Sequence, residues 1–168
     1  LVGFQTRLTY KEQLRVFRMI PGFEKASFPH LGSVHRNSFL NSAKLLKSDL
    51  SSREFPCLSF AGQITGVEGY TESSSMGLYV GMQVYRKLQN KEPVEFPKET
   101  AIGALVNYIM TAPKPVPSNI NFGLMPTVAL NKEQRKNPKR KKIKKQLASE
   151  RARLAFDKLT EIDKDLFW

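Results

Sequence analysis

Charged and apolar residues alternate along YKEQLRVFRMI, residues 10 to 20, with Leu14, Val16, Phe17 and Ile20 at helical spacing. That pattern predicts a helix, which Pro21 and Gly22 stop. GSVHRNSFLNSAK is rich in small and polar residues and predicts short strands with a loop over 26 to 43. Pro56 is followed by CLSFAG, which has the form of a short buried strand bounded by turn signals. From about Thr71 to Leu88 the period becomes helical, with Met76, Tyr79, Val80, Val84 and Leu88 on one face. Gly77 and Gly81 share a face of that helix. Interior glycines each cost about 1 kcal/mol against alanine, so their presence predicts close packing on a sheet or another backbone. A polar linker, NKEPVEFPKE, separates this helix from a second apolar one at Thr100 to Met110. APKPVPSNINFGLMPTV holds four prolines and is expected to be ordered by packing on the main body. A long basic helix is predicted from Lys132 to about Lys158, interrupted by Pro138.

Between the CLSFAG segment and the helix at 71 lies FAGQITGVEGYTES, residues 60 to 73, with three glycines. A strand, a glycine-bearing loop and a helix start form a layout that holds phosphate or a flat ring system. The helix offers unpaired N–H donors and a partial positive charge. Gly66 and Gly69 can take positive φ, and Thr71, Ser73 and Ser74 can cap the helix. Spacing alone leaves two readings open, a ligand cradle or an ordinary passage of an α/β protein. The pattern is neither GxGxxG nor a P-loop.

The totals narrow the class. Hydrophobic residues make up 40% and charged residues 25% of 168, and no apolar run approaches the ~20 residues of a membrane span. A single cysteine, Cys57, fits a reducing, cytoplasmic setting, where it reads as a buried structural thiol. Two histidines, His30 and His35, give no metal site. The chain opens on LVGFQTRLTY, an apolar start that reads as the interior of a longer protein.

Charge is uneven. Of the net +12, residues 132 to 153 carry +9. Lys139, Arg140, Lys141, Lys142, Lys144 and Lys145 fall within seven positions and would spread around most of a helix, an array suited to phosphate contact rather than base reading. Ile143, Leu147, Leu154 and Phe156 form its apolar stripe. The alternative is a solvated charged helix. The density points to a polyanionic partner, nucleic acid first.

FAGQITGVEGYTESSSMGLYVG closely resembles the carboxy-terminal flavin-contact segment of the TrmFO family, folate- and FAD-dependent tRNA uracil-5-methyltransferases. LVGFQTRLTYKEQLRVFRMIPGFE, GSVHRNSFLNSAKLL and SNINFGLMP resemble three further stretches of that family in the same order, from Leu1 to about Val128. The related GidA/MnmG family shares a GQI-Gly segment, with Asn expected at Thr65 and Glu at Ser73. GVEGY and the Glu72-Ser73 pair are similar to the methyltransferases instead.

The resemblance implies an α/β fold. It would comprise the C-terminal part of a Rossmann-like FAD-binding flavoprotein domain, part of an inserted α/β domain, and a basic C-terminal helix. Residues 1–50 would belong to the inserted domain and the return to the FAD domain. Residues 51–90 would form the FAD-binding strand, loop and helix, 91–128 a helix and Pro-rich segment, and 129–168 the basic tail. Gly62, Gln63, Thr65, Gly66 and Gly69 are the implied flavin contacts, mainly through backbone. His35, Asn37, Glu68 and Tyr70 are the implied contacts of methylenetetrahydrofolate, with Arg36 an RNA or carboxylate contact. The structural alternatives are a hydrogen-bonded loop histidine at 35 and a core aromatic at 70.

The implied activity forms 5-methyluridine at the T-loop uracil-54 of tRNA, with NAD(P)H as reductant. The family's catalytic cysteines and amino-terminal FAD fingerprint have no counterpart in these residues, so the segment is not expected to act alone. Three alternatives stand beside it: the same chemistry on a ribosomal RNA uridine, a GidA/MnmG-type wobble-uridine modification, and a non-catalytic RNA-binding module.

Overall fold

A computed structural model describes residues 6–32, 37–164 and 166. The chain divides into two compact units, Leu1–Asn37 and Ser38–Trp168.

The first unit is built on helix α1, Tyr10–Phe17. Thr9 caps it, its side chain accepting from the Glu12 amide, and the chain turns at Gly22 with φ of +89°. The helix is anchored by an amide rather than an apolar residue. Gln13 is fully buried and donates through Nε2 to the carbonyls of Leu8 and Gly32 at 2.8 and 2.7 Å. Phe17 packs on Phe28, ring centroids 5.7 Å apart.

The second unit is helical. A single turn α2, Ser42–Leu45, is followed by a 3₁₀ turn at Gly62–Thr65 and then α3, Tyr70–Leu88. Next come α4, Ala101–Thr111, the short α5, Lys132–Lys136, and α6, Arg140–Ile162. Pro138 separates the last two, as its missing N–H requires. Thr100 caps α4 by accepting from the Gly103 amide, and Asn131 and Gln134 form a reciprocal capping box on α5.

Met76, Tyr79 and Val80 from α3 and Leu105 and Ile109 from α4 form the centre of the core with Leu46, Leu50 and Val67. Each fully buried aliphatic side chain there stabilises the fold by roughly 1.5–3 kcal/mol. Phe156 and Leu159 bring the far end of α6 onto this core, and Phe96 bridges Tyr79 and Phe156 through two edge-to-face ring contacts at 5.3 and 5.7 Å.

The structure corrects several expectations. Among the described residues, β-type pairing is confined to three isolated bridges: Leu46 with Ser52 and Ser51 with Ser59, antiparallel, and Val67 with Ser118, parallel. The predicted strand after Pro56 is absent, because its residues do not share a covered face. Cys57 is exposed and Leu58 is 49% exposed, while Phe60 and Ala61 pack on the core. Cys57 is therefore not a buried thiol. In place of the strand expected up to residue 43, the described residues show the turn α2 beginning at Ser42. On α3, Val84 and Leu88 are exposed, and their places in the core are taken by Met82 and by the polar Gln83 and Arg86. Gly77 and Gly81 face open space, so the close packing expected of them is not present. The α6 stripe also differs, with Leu154 exposed and Ala148 buried.

Candidate functional site

The 3₁₀ turn at Gly62–Thr65 and the start of α3 face each other across a bare glycine. A Cβ placed on Gly62 would stand 3.2 Å from the Cβ of Ser73, in the first turn of α3. Gly62, Gly66 and Gly69 all hold positive φ, at +71°, +90° and +94°, the region where a side chain is strained. Around Gly69 a Cβ would also collide with the Glu72 carboxylate and the Asn119 amide.

The carbonyls of this loop are engaged one after another by the protein itself. Thr65 Oγ1 donates to Gly62 O (2.7 Å), Gly66 N to Gln63 O (3.0 Å) and Leu40 N to Ile64 O (2.8 Å). Ser42 Oγ donates to Thr65 O (2.9 Å), and Ser118 N to Gly66 O (3.1 Å). Glu68 N returns a bond to Ser118 O at 2.9 Å. Across a trans peptide, the C=O of one residue and the N–H of the next point in opposite directions. The amide of the exposed Gln63 therefore points away from the Thr65 hydroxyl that holds the Gly62 carbonyl, whereas Val67 is buried in the core. At α3 no side chain caps the start, since the N-cap is Gly69. The expected capping by Thr71, Ser73 or Ser74 does not occur, so the first amides of this 19-residue helix have no side-chain cap, and Glu72 is the acidic residue of its first turn. Gln63, Glu68 and Tyr70 are exposed beside them, Tyr70 at 96%. Such an assembly can receive an anion or the electron-rich edge of a flat ring.

Of the residues expected to bind flavin, Gly62, Gln63, Thr65, Gly66 and Gly69 come together here. The Thr65 side chain is buried and turned inward. The open direction at Gly66 leads to Phe39 and Ile109, at 3.6 and 3.8 Å, so glycine is needed there for φ rather than for clearance on the outer side. Glu68 and Tyr70 stand at the same loop; a core position for Tyr70 is excluded by its exposure. His35 and Arg36 lie outside the described residues, and Asn37 closes the other unit.

Ser42, Ser118 and Glu72, whose carboxylate accepts from the Ile120 amide at 3.3 Å, frame the loop. Sequence reading missed these roles. No spacing connects positions 42, 72 and 118; only their occurrence in the HRN, FAGQITGVEGYTES and SNINFGLMP stretches hinted at them.

The model of the family described as glucose inhibited division protein A matches residues 1–92. The chain belongs to that family, within its TrmFO group. Proteins named "Methylenetetrahydrofolate--tRNA-(uracil-5-)-methyltransferase TrmFO" are similar over most of its length. That of Natranaerobius thermophilus is 52% identical over 163 residues, 96% of this chain and 36% of the relative. That of Hydrogenobaculum sp. is 52% identical over 81% of this chain and 30% of the relative. That of Geotalea uraniireducens is 47% identical over 97% of this chain and 35% of the relative. The chain thus spans about a third of the length of these TrmFO relatives.

Lys139, Arg140, Lys141, Lys142, Lys144 and Lys145 are all exposed at the start of α6, whose first turn contains no acidic residue. Like charges at the positive end of a helix dipole oppose local stability, by ~0.3–1 kcal/mol each. They are offset by distant packing, through Phe156 and Leu159, and by Arg151, which donates to the Pro126 and Thr127 carbonyls. No helix among the described residues is long and apolar enough to cross a membrane.

Proposed function

We propose that the chain is the carboxy-terminal part of a folate- and FAD-dependent enzyme that methylates uracil at C5 in tRNA, at the T-loop position. Methylenetetrahydrofolate is its carbon donor and NAD(P)H its reductant. One observation carries the reading: the five carbonyls from Gly62 to Gly66 are each held by the protein itself, and no side chain caps the start of α3. The names of the relatives supply the chemistry for which such a loop is suited.

In this reading Gly62, Gln63, Thr65, Gly66 and Gly69 hold the flavin through backbone, within a Rossmann-like domain. Bound there, FAD supplies the redox chemistry of one-carbon transfer. The α3 dipole favours negative charge at the ring edge. Glu68 accepts from the N–H donors of the pterin and Tyr70 helps to hold it, and His35 and Asn37 are read as further folate contacts. The basic start of α6 neutralises RNA phosphates.

The full-length protein should show a flavin absorbance spectrum, and RNA from a deletion strain should lack 5-methyluridine in tRNA. Loss of that nucleoside from ribosomal RNA alone would redirect the target. Loss of a wobble modification would assign the wobble-uridine chemistry, and a colourless, RNA-binding protein would remove catalysis altogether.

A further inference from the structure

A cavity of about 370 Å³ opens between the FGLMP turn and α6. One wall is Phe122, Met125, Pro126 and Val128, and the other is Lys141, Lys144, Lys145 and Ala148. Positions 141, 144, 145 and 148 recur at i, i+3, i+4 and i+7, so they form one face of the helix. The six clustered basic residues are therefore divided. Three line this cavity, while Lys139, Arg140 and Lys142 do not. The lining contains no carboxylate. Lys145 Nζ stands 5.6 Å from the centre of the Phe122 ring, which keeps a cation at the aromatic side of the mouth. The walls are fixed in place. Arg151 donates to the Thr127 and Pro126 carbonyls, and Asn121 Oδ1 accepts from the Gly123 amide at 2.9 Å.

Three ammonium groups opposite an aromatic ring and an apolar floor make two demands on an occupant. It must carry more than one negative charge, and it must offer a flat, largely apolar face of nucleobase size. A duplex satisfies the first demand only, because its bases are stacked inside. An unpaired nucleotide in a loop satisfies both, since its base can leave the stack and lie against an aromatic side chain. We propose that this cavity takes one unpaired nucleotide of the bound RNA, its base against Phe122 and the Met125–Val128 floor and its flanking phosphates on Lys141, Lys144 and Lys145. The inference rests on the RNA reading above and deepens it. The basic end of α6 becomes a device that selects a looped strand over a paired one.

The test uses the full-length protein, a fluorescent single-stranded uridine-rich RNA and a blunt RNA duplex of equal length, followed by anisotropy across a salt titration. Phe122 is 45% exposed, so Phe122→Leu leaves the fold intact. It should weaken single-strand binding about tenfold, with duplex affinity and the salt slope unchanged. Replacing Lys141, Lys144 and Lys145 together by Ser should lower single-strand affinity more than the charge-matched replacement of Lys139, Arg140 and Lys142. Equal affinity of the Phe122→Leu protein for both RNAs, relative to the unaltered one, overturns the nucleotide pocket. If neither triple replacement changes RNA affinity, the RNA reading fails with it. Binding of uridine monophosphate that does not compete with RNA would reassign the cavity to a free nucleotide and also overturn the proposal.

Discussion

Arg86 Nη1 lies 2.7 Å from Asp163 Oδ2, joining the last turn of α3 to the residue that ends α6. The guanidinium is 9% exposed, and its Nε also donates to the Glu92 carbonyl at 2.9 Å. The two helices thus converge on one charged side chain at the edge of the core. Asp163→Asn removes the counter-charge and leaves Arg86 largely buried. We expect a loss of about 1–3 kcal/mol, read as a lowered Tm in thermal melting. An unchanged Tm would show that solvent already screens the pair.

Tyr79 gives the fold an alkaline limit. Burial pushes its phenol up from 10.0 to about 12, opposed by the hydrogen bond with Gln83 and reinforced by Glu95 and Asp49. The raised value means the folded state keeps a proton that the unfolded chain loses. The contribution is complete below pH 10 and disappears as pH rises towards 12. The loss on crossing that window is about 2–3 kcal/mol. Denaturant midpoints should fall across that window, and Tyr79→Phe, which has no proton to lose, should fall less steeply.

Gly103 is required for packing rather than for φ. A Cβ there would run into the backbone carbonyls of Phe96 and Pro97, which cannot move as a side-chain tip can. Gly103→Ala should destabilise by roughly 1–3 kcal/mol despite the better helix propensity of alanine. A stabilised variant in chemical denaturation would contradict the contact.

Ser118→Pro removes the N–H that holds the Gly66 carbonyl, next to a residue that is already proline. Flavin content of the full-length protein, measured as absorbance per chain, should fall severalfold while the helical circular dichroism is kept. Full flavin content would mean that the bridge between Val67 and Ser118 does not set the loop.

The helices were legible in the sequence because their signals are local. The apolar period places α3 and α4 within one residue of where they stand, and Pro138 marks the break between α5 and α6. The strand at 57–62 was misread because a short apolar run bounded by turns looks the same whether or not it finds a partner. Pairing depends on residues far away, and only Ser59 of that run forms a bridge. At the site, the glycines announced the positive φ values. The donors from Leu40, Ser42 and Ser118 could not be found this way, since which hydroxyl or amide reaches which carbonyl is decided by the tertiary fold. Gln83 shows the same limit. Its position on the α3 face suits an apolar residue, yet its side chain exchanges two hydrogen bonds with the Val94 backbone, at 2.5 and 3.1 Å.

The bridge between Val67 and Ser118 also separates possession of a motif from its competence. A truncation stopping between Tyr70 and Ser118 would retain every glycine of the loop and lose the keystone that aims it. Deletion mapping would then assign cofactor retention to the proline-rich strap, although the strap acts by holding the backbone of Gly66 and Glu68 in place.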